Sequence, residues 1–275
     1  MKKPILITGA STGIGYFCAK ELSKNSNYQV FATVRNEKDF KRLKQEGLNV
    51  LMLDLNSSDS IKKCVKEFLG KTDGKIYALF NNAGYGQPGA VEDISDEALK
   101  KQFQTNFFGL HQLTREFLPI MREQGYGRIV NHSSVLGFVS LRFRGAYNAS
   151  KYALEGLSDT LRLELLGSDI WVSLIESGPV RSNFRKNALD KFLENIDREN
   201  SYFKDEYKKK LEALQSDKDV PFTLGEEAVF EKLLRALEDK EPRAKYRVTK
   251  VTTIFWLLKR VLSTKRLDKI LRSIE

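Results

Sequence analysis

At 275 residues, with no Pro/Gly/Ser-rich linker, internal repeat or low-complexity stretch, the chain suits a single enzyme-sized domain with a full core. Its two cysteines, Cys18 and Cys64, lack C-x-x-C spacing and neighbouring histidine pairs, so buried thiols are expected rather than a metal site or a disulfide framework. The net charge of +10 is concentrated near the C-terminus, yet no stacking platform or groove-reading motif accompanies it, which disfavours nucleic acid as a partner.

The opening Met1-Lys2-Lys3 imitates a signal-peptide start, but the apolar run behind it is too short, and a cytoplasmic chain is expected. Pro4-Ile5-Leu6-Ile7 reads as a buried strand leading into Thr8-Gly9-Ala10-Ser11-Thr12-Gly13-Ile14-Gly15, and residues 16–24 follow with an amphipathic helical pattern. Strand, glycine turn and helix form the arrangement in which N–H groups at a helix start receive a pyrophosphate. Three residues separate Gly9 from Gly13, so the turn is longer than in the G-x-G-x-x-G fingerprint.

Apolar strand patterns recur near residues 4–8, 28–34, 48–53, 76–81, 128–133 and 170–176, with a seventh near 245–249, and helical patterns lie between them. The expected fold class is α/β, a Rossmann-type doubly wound parallel sheet with helices on both faces. At the end of the second strand, Phe31-Ala32-Thr33-Val34-Arg35-Asn36 offers no acid for ribose hydroxyls, and the Arg35 guanidinium suits a 2′-phosphate. The expected cofactor is therefore NADP(H), NAD(H) not being excluded; the competing reading makes Arg35 a surface residue capping the next helix.

Further along, Tyr147 and Lys151 stand four residues apart and share one helix face, thirteen residues after Ser134. A cation beside a phenol favours the phenolate, which would draw a proton-transfer group toward working pH. A solvated helix face would show the same spacing, so the pair gains meaning only from its company.

That company resembles the short-chain dehydrogenase/reductase family. Its Thr-Gly-x-x-x-Gly-x-Gly turn is matched by residues 8–15, and Asn81-Asn82-Ala83-Gly84 is similar to the segment ending its fourth strand. Asn106 falls where the family keeps a helix asparagine, Ser134 ends the fifth strand, and Gly178-Pro179-Val180-Arg181-Ser182 is similar to the turn beside the nicotinamide. The motifs keep their order over residues 4–183. The resemblance implies a seven-stranded sheet of order 3-2-1-4-5-6-7. It also implies a cofactor site of Gly9, Ser11, Thr12, Gly13, Ile14, Gly15, Arg35, Asp54, Leu55, Asn82, Ala83, Gly84, Tyr147, Lys151, Pro179, Val180 and Ser182, with Asp54 at the adenine. One departure stands out: Ser177 occupies the position before Gly178 where the family commonly has proline, which is expected to loosen that turn.

On this reading Tyr147 exchanges the proton with a carbonyl or alcohol oxygen while hydride moves. Lys151 perturbs the phenol and holds the nicotinamide ribose, Ser134 donates to the developing oxyanion, and Asn106 anchors a water. Ser133 competes with Ser134 on sequence grounds, though the interval to Tyr147 fits the family better with Ser134. His132 reads as a satisfied structural imidazole in a buried strand, and the cluster of Phe103, Phe107 and Phe108 with His111 as core or interface. Among family members the chain looks most like bacterial oxidoreductases related to retinol and 17β-hydroxysteroid dehydrogenases, implying an apolar aldehyde, ketone, retinoid or steroid as substrate and a homo-oligomer as assembly. A non-catalytic NADP(H)-binding sensor or scaffold remains the competing class, and an extended-branch epimerase or dehydratase a third.

Residues 1–250 are expected to form the catalytic domain, with 184–220 inserted as a substrate lid in which Phe184, Leu189, Phe192, Tyr202, Phe203 and Tyr207 could line an apolar pocket. Residues 251–275 read as a basic amphipathic helical tail. From residue 240 onward eleven Lys/Arg face three acids. The tail's apolar run, Val251 to Leu258, is too short to span a bilayer, and three readings compete: an anionic membrane surface, cover for the substrate cleft, or packing in an oligomer.

Overall fold

The computed structural model of the chain describes residues 2–215 and 221–274. Seven strands form one sheet: β1 (Lys3–Ile7), β2 (Tyr28–Val34), β3 (Asn49–Met52), β4 (Ala78–Asn81), β5 (Tyr126–Ser134), β6 (Asp169–Ser177) and β7 (Lys245–Arg247). Every neighbouring pair is parallel. The order is β3-β2-β1-β4-β5-β6-β7, as the family resemblance implied.

Because successive strand residues point to opposite faces, near-continuous apolar strands feed two cores at once. Ile5 and Ile7 of β1, with Val30, Ala32 and Val34 of β2, enter one core. There they meet α1 (Gly13–Ser23), α2 (Glu37–Gln45) and α9 (Glu227–Glu238). Leu6, Phe31 and Leu79 point the other way, onto α3 (Ser58–Gly70) and α5 (Gly109–Gln124), where Phe31, Phe68 and Phe117 stack edge to face. The two cysteines are buried, one in each core, and burial pushes both thiols far above the ordinary range. Among the described residues no group of three or more His, Cys, Asp or Glu converges as a metal site.

Local capping fixes several helix starts. Asn36, Ser57 and Ser95 each accept a hydrogen bond from the backbone N–H three residues on. Thr12, ahead of α1, makes no such bond, so the first-turn N–H groups of that helix remain directed at the mouth of the glycine turn. The chain departs to one side of β1 through β2 and β3 and returns on the other through β4. That reversal opens a crevice at the carboxyl ends of β1 and β4, the standard ligand position in open sheets.

The helix α4 (Asp96–Phe103) continues into α5 through a π-helical turn, Gln104–Phe108. Beyond β6 lie α7 (Phe184–Asn195) and α8 (Lys204–Gln215); the rest of the expected lid, residues 216–220, lies outside the described residues. The C-terminal segment is two helices rather than one, α10 (Lys250–Val261) and α11 (Thr264–Ser273), the chain turning extended at Leu262 and Ser263. Their inner faces pack Phe255, Leu258, Leu267 and Leu271 on Val135, Leu136, Phe138 and Val139. This is the loop that follows β5. None of the described helices is long and apolar enough to cross a membrane.

Candidate active site

The glycine turn is shaped by contacts that leave no room for side chains. Gly9 (φ +66°) lies against Ala83, where an added Cβ would sit 2.8 Å from the Ala83 Cα. At Gly15 it would sit 2.4 Å from the Gly9 carbonyl oxygen and 2.5 Å from Asn82 Nδ2. Gly13 (φ +57°) faces Ser182 at 3.2 Å, joining the turn to the segment after β6. Thr8 Oγ1 receives the N–H groups of Asn82 and Ala83, both at 2.9 Å, so the ends of β1 and β4 are bolted together beneath the crevice.

Asn82 links the turn to the chemistry. Its Nδ2 donates to the carbonyls of Thr8 (3.0 Å) and Gly9 (3.3 Å), which leaves Oδ1 to face His132 Nδ1 at 2.9 Å. A carbonyl oxygen can only accept, so His132 carries its proton on Nδ1, and Nε2 accepts from the Ser177 hydroxyl at 2.8 Å. Burial and the Lys151 charge push this imidazole down to about 3, so it stays neutral. The satisfied imidazole read from sequence has its partners here. Ser177, in the position where the family commonly has proline, supplies the hydroxyl that His132 binds. Gly178 behind it is pressed on Thr249, whose Oγ1 would lie 2.1 Å from a Cβ. Replacing His132 with Leu strands Asn82 Oδ1 and the Ser177 hydroxyl. We expect a loss of about 1–3 kcal/mol in denaturant unfolding, with weaker dinucleotide binding and kcat little changed.

Tyr147, Ser150, Lys151, Leu154, Glu155 and Ser158 make up the buried stripe of α6 (Gly145–Glu164). Ser134, the last residue of β5, pairs in register with Ser177. Its Oγ accepts the Leu136 N–H at 3.1 Å and stands beside the Tyr147 phenol, whose shift it opposes. Ser133, one residue back and therefore on the opposite face, is buried toward Gly137 without a hydrogen-bond partner for its hydroxyl. The geometry thus brings Ser134, and not Ser133, to the tyrosine.

Lys151 Nζ lies 5.7 Å from the centre of the Tyr147 ring and donates to the His132 carbonyl at 2.6 Å. Burial lowers the ammonium to about 8, against a pull upward from Glu155. For the phenol the outcome differs from the sequence expectation. Burial raises Tyr147 to about 12, while the Ser134 hydrogen bond and the Arg144 charge pull it down. Desolvation outweighs the nearby charges because both side chains are almost wholly enclosed.

Asn106 sits in the π turn, fully buried. Its Oδ1 accepts the Tyr85 N–H (3.1 Å), and its Nδ2 donates to the Tyr85 carbonyl (2.9 Å) and Ser150 Oγ (3.3 Å). This side chain fixes the loop after β4 to α6, with Gly84 packed against it. At the far end of the crevice Asp54 Oδ1 accepts from the N–H and Nδ2 of Asn56 (both 2.9 Å), and the Leu55 carbonyl receives Gln104 at 3.2 Å and abuts Gly109. Arg35 projects into solvent just past β2. Pro179 and Val180 are braced by Leu224: its N–H donates to the Pro179 carbonyl at 3.2 Å, and Val180 bridges to it.

One contributor was not visible in local spacing. Arg42 on α2 reaches 31 residues back to the Ser11 carbonyl (2.5 Å) while paired with Asp39 and Glu46 (each 3.1 Å), so it holds the glycine turn from outside. Phe184, the first residue of α7, lies edge-on over Tyr147 with ring centres 5.2 Å apart. The other aromatics expected in a substrate pocket go elsewhere. Phe192 and Tyr207 are buried in the lid's own core with Phe203 beside them, and Tyr202 is 86% exposed. Two short helices need that core to stand off the sheet. Tyr207 also ties the lid down, its hydroxyl receiving the Ala90 N–H at 2.7 Å and donating to Asp93. A concavity of about 720 Å³ lies at the opposite, amino end of the sheet among Lys3, Tyr77, Arg128 and Trp171, away from these residues.

The arrangement can hold a dinucleotide across the β1/β4 crevice and present a buried phenol and serine hydroxyl at its inner end. Residues 3–192 match the family described as short chain dehydrogenase. The chain is 42% identical over 279 residues to an uncharacterized oxidoreductase, YbbO, of Escherichia coli, covering 99% of this chain and 95% of that one. It is 37% identical over 196 residues to human retinol dehydrogenase 8, covering 68% and 62%. A short chain dehydrogenase/reductase from Burkholderia phymatum solved with NAD superposes with a TM-score of 0.78 at 25% identity, covering 94% of this chain and 92% of that one. A serine dehydrogenase complexed with NADP+ does so with 0.74 at 25% identity, covering 90% and 95%. With the motifs, the sheet order and these likenesses in agreement, the chain belongs to the short-chain dehydrogenase/reductase family of oxidoreductases.

Proposed function

We propose that this oxidoreductase reduces apolar aldehydes or ketones with NADPH, or oxidises the matching alcohols, through Ser134, Tyr147 and Lys151, with Asn106 as a positioning residue. The observation that carries the reading is the enclosure of Tyr147 and Lys151 on one buried face of α6, with Ser134 at the end of β5 beside the phenol. Bound in the crevice, the nicotinamide would supply or take up the hydride. Tyr147, held protonated by burial, hands its proton to the substrate oxygen as the C=O bond becomes an alcohol. Ser134 donates to the same oxygen while negative charge grows there, an interaction strongest in the transition state. Lys151 holds the ribose side of the site and, through the His132 carbonyl, the end of β5.

The glycine turn, Asp54, Leu55, the segment from Asn82 to Gly84, and Pro179, Val180 and Ser182 would hold the dinucleotide, which in solved relatives is NADP or NAD. We assign the 2′-phosphate to Arg35, the exposed guanidinium at the strand end where an NAD-binding chain would offer an acid. Changing Arg35 to Asp should reverse the ratio of NADPH to NADH affinity, read by fluorescence titration of both; an unchanged ratio would remove this assignment. Phe184 over Tyr147 and the apolar lid favour apolar carbonyls, in keeping with the retinol dehydrogenase likeness. An NADPH-consumption screen over aldehydes, ketones, steroids and retinoids tests the substrate class. Phe108, Leu163 and Leu166, 51%, 58% and 72% exposed at the start of α5 and the end of α6, suit cover by a second copy of the chain.

A further inference from the structure

The C-terminal hairpin has two faces of opposite character. Its inner face is anchored on the loop after Ser134 by the Phe255, Leu258, Leu267 and Leu271 cluster. Lys259, turned inward, donates to the Phe138 carbonyl and to the Tyr152 hydroxyl (3.2 Å). Trp256 is held between Arg247 and Arg260, whose guanidinium carbons lie 3.8 and 3.7 Å from the ring centre. The hairpin is therefore a rigid part of the molecule and not a loose extension.

Among the described residues nothing covers the outer face. Ile254, Leu257 and Val261, 48%, 50% and 75% exposed, recur at helical spacing and form one aliphatic row along α10, and Ile274 at the end of α11 is 56% exposed. The same two helices expose Lys250, Arg260, Lys265, Arg266, Lys269 and Arg272, and Asp268 is the single acid between residues 250 and 274. Such a surface asks for a partner that is apolar and anionic at once. A second copy of the chain does not meet that need, since a self-complementary contact would bring two like-charged hairpins together. A lipid surface does: acyl chains take the aliphatic row, and anionic headgroups take the cations.

We propose that the outer face of α10 and α11 docks the protein peripherally on an anionic membrane surface. Docking places the loop that follows Ser134, and with it the substrate end of the crevice, in the packing unit nearest the lipid, where apolar carbonyl compounds collect. That benefit rests on the apolar-substrate reading, whereas the docking does not.

The test sediments the full-length protein with vesicles of phosphatidylglycerol mixed into phosphatidylcholine, and in parallel with phosphatidylcholine alone, at low and at high salt. Retention on the anionic vesicles should exceed that on neutral ones by about tenfold or more and fall at high salt. It should be lost in Leu257→Glu/Val261→Glu and in Lys265→Glu/Lys269→Glu, both with unchanged circular dichroism, and turnover of a water-soluble aldehyde should stay the same in each. Equal retention on both vesicle types, or retention insensitive to both double variants, overturns the proposal. So does a concentration-dependent dimer that the Leu257→Glu/Val261→Glu change abolishes while vesicles retain nothing. Sedimentation reads binding alone, so its outcome stands whether or not the carbonyl screen succeeds.

Discussion

Replacing Tyr147 with Phe is expected to lower kcat for carbonyl reduction by about 10²- to 10⁴-fold, the range lost when a positioned general acid is removed. The ring keeps its edge contact with Phe184 and its place in the buried stripe of α6, so the fold and the dinucleotide crevice should be undisturbed. NADPH affinity, read by fluorescence titration, should therefore change by less than about threefold, since the phenol oxygen contributes little to binding the ground state. A variant that binds NADPH normally and retains near-normal turnover would detach Tyr147 from proton transfer. Ser134→Ala should follow the same pattern to a smaller degree, because it removes a donor to the oxyanion and leaves the proton source in place.

The second large effect concerns Lys151, where activity and stability should move in opposite directions. Its ammonium is buried, carries one hydrogen bond to the His132 carbonyl and is pushed from 10.5 to about 8. Burying that charge costs on the order of 3 kcal/mol at neutral pH, and the bond to His132 returns about 1 kcal/mol. Lys151→Met should therefore raise the unfolding free energy at pH 7 by about 1–2 kcal/mol while lowering kcat/KM by about 10²-fold or more. The sign with pH follows from linkage. Between about pH 8 and 10.5 the unfolded chain holds a proton that the folded chain has released, so the wild-type protein gains stability across that window and the Met variant does not. Reduction should fall over the lower part of the same window. Tyr147, raised to about 12, stays protonated there, so a decline in kcat/KM as pH rises through about 8 belongs to the loss of the Lys151 charge. A profile flat to pH 9.5 in the wild-type enzyme would mean that this charge plays no part.

The parts of the site legible from sequence were those encoded by short-range geometry. Tyr147 and Lys151 share a face because a helix repeats every 3.6 residues, and the glycine turn announces itself because only glycine tolerates the contacts at positions 9 and 15. Six of the seven strands appeared as short apolar runs, since a sheet covered on both faces needs apolar residues on both, whereas β7, Lys245–Arg247, at the sheet edge carries only Tyr246 into the core. What stayed hidden depends on chain segments far apart in sequence. Nothing near Ser177 indicates that it compensates for the family proline by binding His132, 45 residues earlier. Arg42 was one of many surface cations until α2 was seen to lean on the glycine turn. The direction of the Tyr147 shift required knowing how completely the phenol is enclosed, and the lid aromatics required knowing that α7 and α8 build a core of their own. Asn106 stood out by its place among the motifs, but the contacts of its side chain with Tyr85 and Ser150 arise only when the π turn meets α6.

The most direct measurement follows the hydride itself. NADPH carrying deuterium at the transferable C4 position is mixed with enzyme and an apolar aldehyde for a single turnover, and the alcohol is analysed by mass spectrometry. Deuterium on the carbinol carbon of the product, in the wild-type enzyme and at strongly reduced rate in Tyr147→Phe, is the expected result. Tight NADPH binding with no deuterium transferred to any aldehyde or ketone offered would contradict it, and would identify a protein that binds the dinucleotide without turning it over.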